Sequence, residues 1–548
     1  MDPGRRAFLR SVVATGAALR LTPAFADDRE VLYNGIRLAS PWPPRRRFGT
    51  DDPIRPPYLD DPPAVIPIDL GRQLFVDDFL IQATTLTRRF HQAVYHPDNP
   101  VLRPTTAWER FDPVADRTKT RSNPAAMVFS DGVFYDPAER LFKMWYMGGY
   151  GAGTCYVTSS DGITWTRPKL DVVPGTNVVF GQTRDSSTVW LDLADPDPAA
   201  RYKMSIYNGN LGVLQLFISR DGIHWIQRAV SGPTGDRTTF FFNPFRKRWV
   251  FSLRDDVLTR RGRRYWEERH FLDATWRKDE PTLWVSSDSA DPQREDYQRI
   301  PQLYNLDCVA YESVLLGLFT IWRGEREDRE KPNEVCVGFS RDGFYWDRTN
   351  RTALVPVSEH VGDWNWGNVQ SAGGCCLIVG DELYFYVSGR QGVPGTSLPG
   401  NCSTGLARLR RDGFASMEID DASTRRVSGD LPAGTLVTRP VTFTGAHLFV
   451  NADMGQEGLR VQLETVDGIP IAPFTTAECI PATGNSTALA VRWQRARDLS
   501  AVAGSTVRFR FTMTGGRLYA FWVSRSPSGA SGGYLAAGSP GRSGVLDV

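Results

Sequence analysis

The sequence predicts an all-β chain, a five-bladed β-propeller followed by a C-terminal β-sandwich, on three observations. The first is an internal repeat: Ser-x-Asp-Gly-x-x-Trp occurs at 159–165, 219–225 and 340–346. Two partial copies, Ser286-Ser287-Asp288 and Arg410-Arg411-Asp412-Gly413-Phe414, complete five units whose aspartates are spaced about 60 residues apart. That period is too long for a helical solenoid unit and fits a blade of short strands. The second is composition: 50 Gly, 37 Pro and 16 Trp in 548 residues favour turns and aromatic-covered strands over helices. The third is a change of pattern near Met417, after which apolar runs recur at sandwich spacing.

Taken in order, residues 1–26 read as a twin-arginine export signal, with Arg5-Arg6 ahead of a weakly apolar stretch and the small-residue site Ala24-Phe25-Ala26. Arg20 interrupts that stretch, which fits a cleaved leader better than a membrane span. The mature protein is therefore expected to be secreted or periplasmic. Residues 27–66, rich in Pro, Asp and Arg, read as an extended arm.

The propeller is expected over 67–417. It opens with Leu74-Phe75-Val76-Asp77-Asp78-Phe79-Leu80-Ile81, read as a strand whose alternation turns one of its two acids toward the channel. Each blade then repeats an apolar strand, a second strand rich in Trp, Tyr and Phe, a third strand and the Asp-Gly turn. In that turn Gly supplies positive φ, Asp caps backbone amides and Trp covers the hairpin. Recurrence in successive blades marks the phrase as blade-building, placed away from the channel. Residues 418–525 supply the sandwich through runs such as Leu459-Arg460-Val461-Gln462-Leu463, and the Ser- and Gly-rich 526–548 read as a flexible tail.

A net charge of +2, from 64 basic and 62 acidic residues, gives no overall field for nucleic acid or an anionic membrane. The seven cysteines show no Cys-x-x-Cys spacing and the six histidines do not cluster. No metal or other cofactor is expected, and the thiols are expected buried and unpaired.

Through its blade phrases, the Asn-Pro-Val-Leu segment at 99–102 and the trailing sandwich, the chain resembles the five-bladed propeller glycoside hydrolases. That group includes invertase-like and arabinanase-like enzymes and the related mannoside phosphorylases. The resemblance spans about 70 to 420 and is closer still to bacterial secreted proteins that open with Leu-Phe-Val-Asp-Asp and are assigned only as glycosyl hydrolases. It implies an exported hydrolase with a carbohydrate substrate. The alternatives are a non-catalytic carbohydrate-binding propeller and a phosphorylase or transglycosidase on the same fold. The invertase-type Trp-x-Asn-Asp-Pro-Asn-Gly motif is absent and Glu478-Cys479 lies in the sandwich, so catalytic residues do not carry over by motif.

Candidates follow instead from position. Inner strands line a propeller's channel, and side chains from different blades converge at its mouth. Asp185, Asp236 and Asp307 each stand just ahead of an apolar run in blades two, three and four. Glycoside cleavage needs one carboxylic acid and one carboxylate, and these three supply the inventory. Asp78 and Glu312 are further catalytic candidates. Asp77, Asp131, Arg121, Arg184 and Arg237 are expected to contact substrate. The segment 360–370 concentrates His360, Trp364, Trp366, Asn368 and Gln370 ahead of and within the inner strand of blade five, and reads as a sugar-binding loop.

Overall fold

Five antiparallel sheets surround a common channel in the computed structural model, which describes residues 29–45, 51–110, 123–257, 260–326, 328–329, 331–420 and 433–548. The expected export signal and Arg121 lie outside the described residues. Blade one comprises Ala126–Asp136, Leu141–Gly148, Gly153–Ser159 and Val178–Phe180. Blade two comprises Ser186–Leu191, Tyr202–Tyr207, Val213–Ser219 and Ile226–Pro233. Blade three comprises Thr239–Asn243, Arg248–Val257, Arg260–Glu268 and Thr282–Ser286. Blade four has Gln302–Glu312, Val314–Trp322 and Asn333–Ser340, with an irregular edge bridged at Val355 and Asp347. Blade five has Asn368–Ser371, Glu382–Arg390 and Cys402–Arg410.

The outer strand of blade five comes from the other end of the propeller: Val94–Tyr95 pairs with Ala407 and Arg408. This closes the ring and leaves each inner strand packed against those of both neighbouring blades. Because blades stack face on face, the inner strands of blades one and four are buried at every position, and alternation gives way to continuous burial.

The Asp-Gly turns join third to fourth strands on the face away from the inner-strand starts of blades two and three. In each, Gly N–H donates to the Ser hydroxyl (2.8–2.9 Å) and the next two N–H groups donate to one Asp oxygen (2.8–2.9 Å). Gly162, Gly222 and Gly343 hold φ of 76°, 76° and 85°, left-handed values that favour glycine. An aromatic side chain of the preceding blade then bonds the turn. Tyr386 donates to Gly162 O (2.5 Å), Trp145 to Gly222 O (2.7 Å) and Trp284 to Phe344 O (2.7 Å), while Tyr311 donates to Asp412 (2.5 Å). The repeat is therefore an interblade latch as well as a hairpin turn. Ser286-Ser287-Asp288 is not a copy of it: this stretch begins at the end of the fourth strand of blade three. There the third-to-fourth connection instead buries Phe271 and Trp276 against Phe251.

Residues 67–90, read with the propeller, pair with C-terminal strands, as does Ile66 at the end of the arm. Ile66–Pro67 lies beside Val441–Thr442, Gln73–Leu74 beside Phe521 and Ala520, Ile81–Thr84 beside Leu436–Thr438, and Thr87–Phe90 beside Ala415–Glu418. Only the ends of the Leu-Phe-Val-Asp-Asp region are strand, because the chain turns between them. In the C-terminal unit the strand His447–Glu464 pairs with Arg517–Ser524 over its first half and with Arg508–Met513 over its second. This change of partner encloses a second core, to which the arm contributes Leu32, Ile36 and Tyr58.

The Ser- and Gly-rich end is placed against the propeller rather than free. Tyr534 and Leu535 pair with Glu312 and Tyr311, Tyr135 N–H donates to Ala537 O (3.0 Å) and Ile378 N–H to Gly538 O (3.1 Å). The tail thus ties blades one, four and five together at the end of the channel opposite the starts of the inner strands. Its small residues permit this close approach: a Cβ on Gly533 would lie 2.1 Å from a Glu312 carboxylate oxygen. All seven cysteines are buried, and no disulfide joins them.

Candidate functional site

The inner strands are polar near the mouth and apolar beyond it. Ser186-Ser187-Thr188 gives way to Val189-Trp190-Leu191, Arg237-Thr238-Thr239 to Phe240-Phe241-Phe242, and Asn305 and Asp307 to Val309-Ala310-Tyr311. A polar residue inside such a strand must find a partner across the channel or face a bound molecule. The polar halves therefore mark the open end, and they build a site in two tiers.

Asp185 and Asp236 form the upper tier at the starts of the inner strands of blades two and three. Asp185 N–H donates to Tyr207 O (3.0 Å), which fixes the backbone there. Its carboxyl is raised above the usual range, first by desolvation and next by the charge of Asp236, against the opposing pull of Arg237, Arg184 and Arg390. Asp236 is half-buried and ion-paired with Arg254 (3.3 Å) and Arg261 (3.7 Å). The two neighbours thus differ in environment: Asp185 reaches solvent at the rim of the mouth and has no direct ion pair among the described residues, while Asp236 is flanked by guanidinium groups.

The lower tier is a buried network across four blades. Asp307 Oδ2 accepts from Ser371 (2.5 Å), Asn305 (2.9 Å) and Ser130 (3.0 Å). Arg237 donates to Ser130 Oγ (3.0 Å) and Phe129 O (3.2 Å), and its guanidinium lies 3.6 Å from the Phe129 ring centre. Asp131 is paired with Arg184 (2.8 Å). Burial raises the Asp131 and Asp307 carboxyls and lowers the Arg237 and Arg263 guanidiniums, the last to about 9. Ser130 and Arg237 both hold left-handed φ, 60° and 58°, and meet each other at the channel. Backbone strain of this kind persists where the surroundings over-determine it and concentrates at functional sites. In blade one, the register shift between Met127 and Gly132 frees Ser130 and Asp131 from regular pairing. Asp307 Oδ1 and Gln370 Oε1 are buried without hydrogen-bond partners among the described residues, while Asp131 and Ser187 have each other within reach, so the channel retains polar capacity for water or a ligand.

A cavity of about 430 Å3, lined by neither Asp185 nor Asp236, opens between segments of blades one, four and five, with Tyr150, Tyr304, Arg329, Lys331 and Arg390 in its wall. Among the described residues no three His, Cys, Asp or Glu side chains group as metal ligands do.

The other expected residues are distributed differently. Asp307 is not at a strand start, because its strand begins at Gln302; it sits in the lower tier. Asp77 is far from the channel, clamped by Arg341 (2.7 and 2.8 Å) where the propeller meets the C-terminal unit, and Asp78 is exposed beside Arg88 (2.6 Å). Glu312 lies at the opposite channel end, bonded by Arg411 (2.7 Å), Ser531 (2.6 Å) and Arg72 N–H (3.1 Å). These three acids serve packing and charge pairing. Trp364 covers Gly389 and Gly405, at either of which a Cβ would meet its ring at 2.1 or 2.2 Å, and contacts Tyr95 edge-on. Trp366 is buried behind Arg329, whose Nε donates to Trp366 O (2.8 Å). Both indoles brace the mouth instead of facing sugar. His360 is exposed. Asn368 and Gln370 do face the channel region: Gln370 donates to Asn368 (2.7 Å), which donates to Lys331 O (2.6 Å).

Position alone missed Ser130, Asn305, Ser371, Tyr304, Arg263 and Arg390. Polar residues inside the inner strands of blades four and five would have pointed to Asn305 and Ser371; Ser130 follows an apolar run, Tyr304 belongs to the inner strand of blade four, and Arg263 and Arg390 reach the channel from the third strand of blade three and the second strand of blade five.

No family model matches the chain and no curated protein matches it. Solved structures with similar folds include an N-acetylgalactosamine deacetylase from F. plautii in complex with blood group B trisaccharide, at 13% identity, covering 57% of this chain and 97% of that one, with a TM-score of 0.38. An exo-β-1,3-galactanase from Phanerochaete chrysosporium with galactose aligns at 11% identity over 76% and 99% of the two chains, TM-score 0.34. A structure from a family of mannoside phosphorylases that contains glycoside hydrolases targeting β-1,2 mannosidic linkages in Candida mannan aligns at 11% identity over 62% and 96%, TM-score 0.38.

Proposed function

We propose that this protein is an exported glycoside hydrolase that cleaves its carbohydrate substrate at the channel mouth, with Asp185 as proton donor and Asp236 as the carboxylate that attacks the sugar or activates water. The observation that carries the reading is the pair itself: two acids at equivalent strand starts of adjacent blades, in environments that treat their charges differently. A raised acid beside an ion-paired carboxylate is the division of labour that glycoside cleavage requires. Asp185 is the better suited of the two to carry the proton, because desolvation at the mouth and the Asp236 charge raise its carboxyl above the usual range. Arg254 and Arg261 hold Asp236 in place. The buried tier beneath, with Arg237 and Asp307 at its centre, would orient sugar hydroxyls through its unused polar atoms. Export rests on Arg5-Arg6 and Ala24-Phe25-Ala26.

Product analysis on a polysaccharide panel, with and without inorganic phosphate, tests this. New reducing ends without phosphate are expected, and Asp185→Asn or Asp236→Asn should each reduce turnover by about 10²-fold or more while sugar binding survives. Turnover unchanged in both variants would remove the assignment, and products that are sugar phosphates would replace hydrolysis by phosphorolysis.

A further inference from the structure

Resting on the hydrolase reading, we propose that the substrate carries a negatively charged substituent, a carboxylate or a sulfate ester, seated in the cavity between blades one, four and five. That cavity, about 430 Å3, is of monosaccharide to disaccharide size. Its wall includes four cationic side chains, Arg326, Arg329, Lys331 and Arg390, against one acid, Glu325. Glu325 is itself ion-paired with Arg299 (3.0 Å). Arg326 pairs with Asp296 and Asp328 (3.0 and 2.8 Å), and Arg329 with Glu359 (2.8 Å); these three acids are exposed and stand outside the cavity wall. The Lys331 ammonium has no carboxylate partner among the described residues.

The backbone of exposed Lys331 and two of the guanidinium groups are also held in place. Asn368 fixes the Lys331 carbonyl (2.6 Å), Trp366 stacks on and bonds Arg329 (5.2 Å to the ring centre), and Arg390 lies over Phe129 and Tyr150 (5.4 and 5.2 Å). Below them Arg237 and Arg263 are buried with carbonyl, hydroxyl and aromatic partners and no carboxylate among the described residues. The field of buried guanidiniums is poorly screened and adds to that of the wall. In a chain whose charges otherwise nearly cancel at +2, such a concentration over one concavity selects an anion. Tyr150 and Tyr304 supply rings for the sugar face, and Arg184 N–H donates to Gly151 O (3.1 Å), which ties the residue ahead of Asp185 to the loop carrying Tyr150 and places the subsite next to the reacting bond.

Affinity gels and reducing-end assays on matched glycans test the proposal: polygalacturonate against fully methyl-esterified pectin, and chondroitin sulfate against its chemically desulfated form. Retardation by one anionic member, absent with its neutralised partner and weakened by salt, is expected; the responding pair says whether carboxylate or sulfate is recognised. Lys331→Glu should weaken that retardation by about tenfold or more, Lys331→Arg should restore it, and Lys169→Glu, at an exposed lysine in the blade-one turn segment, should leave it unchanged. Melting curves show that each variant is folded. Equal retardation by neutralised glycans, no retardation by either anionic member, or insensitivity to Lys331→Glu overturns the proposal. Inorganic phosphate that both displaces the glycan and accelerates bond cleavage also overturns it, because the anion would then be a co-substrate. Retardation without cleavage would sink the hydrolase reading and leave the anion subsite standing, whereas cleavage of neutral glycans alone would do the reverse.

Discussion

Asp185 and Asp236 are one blade apart and chemically alike, yet the protein raises the first and surrounds the second with arginines. The coupling between them makes a directional prediction. A general acid works protonated, so the rate should fall as pH rises through the raised Asp185 value. Removing the neighbouring charge with Asp236→Asn takes away the second-largest cause of that rise, and the Asp185 titration, followed by carbon NMR of its carboxyl, should move to lower pH. A titration that stays in place would show that the two acids are not electrostatically paired. Asp307, by contrast, is locked by three hydrogen bonds and is better suited to hold the floor of the site than to exchange protons with substrate.

The repeated turn shows how one local sequence takes different energetic roles in different surroundings. Asp221 is half-buried and carries His224 on its carboxylate (2.8 Å), which with backbone N–H bonds outweighs desolvation and lowers it to about 2. Asp342 has the same backbone bonds, but its turn is covered by the N-terminal arm, where Asn34 donates to Arg341 O (2.9 Å), and burial raises it to about 6. The signs are opposite. Asp221 stabilises the fold above its unfolded value and loses that contribution as pH falls toward 2; the Asp342 contribution is full below its unfolded value and is lost as pH rises through 6. Asp342→Asn keeps the acceptor and removes the charge, so it should match or exceed the parent Tm near pH 7, with the difference shrinking near pH 4. Asp221→Asn should melt lower near pH 7. The latch is tested by Trp145→Phe, which keeps a ring but leaves Gly222 O without its indole donor; urea unfolding should show a loss of about 1–2 kcal/mol. An unchanged midpoint would mean that the latch contributes nothing.

For the whole molecule, the last residues matter most. Because the tail bonds blades one, four and five, ending the chain at Arg525 would strip Glu312 of its Ser531 partner and uncover an apolar cavity of about 370 Å3 lined by Trp190, Phe242, Val309 and Tyr534. The truncated protein should melt several degrees lower and lose resistance to proteolysis; melting together with the full-length chain would restore the picture of a free tail. Composition alone suggested that picture, since Ser and Gly carry little apolar area of their own. The all-β class and the turn chemistry were legible in the sequence, because they depend on local periodicity and on residues within a few positions of one another; the blade count of five agreed although one of its five marks, Ser286-Ser287-Asp288, is not a copy of the turn. The sequence by itself also placed Asp185 and Asp236, whose rank relative to their inner strands is a local property. Tertiary structure decided the rest. Asp77, Asp78 and Glu312 were carried away from the mouth because the Leu-Phe-Val-Asp-Asp region pairs with strands more than 350 residues later and Glu312 turns at the opposite end of its strand. Trp364 and Trp366 became braces because glycines and an arginine distant in sequence opened room beside them. The cationic cavity joins segments from three blades, and ring closure, which no window of local sequence contains, is what brings their charges together.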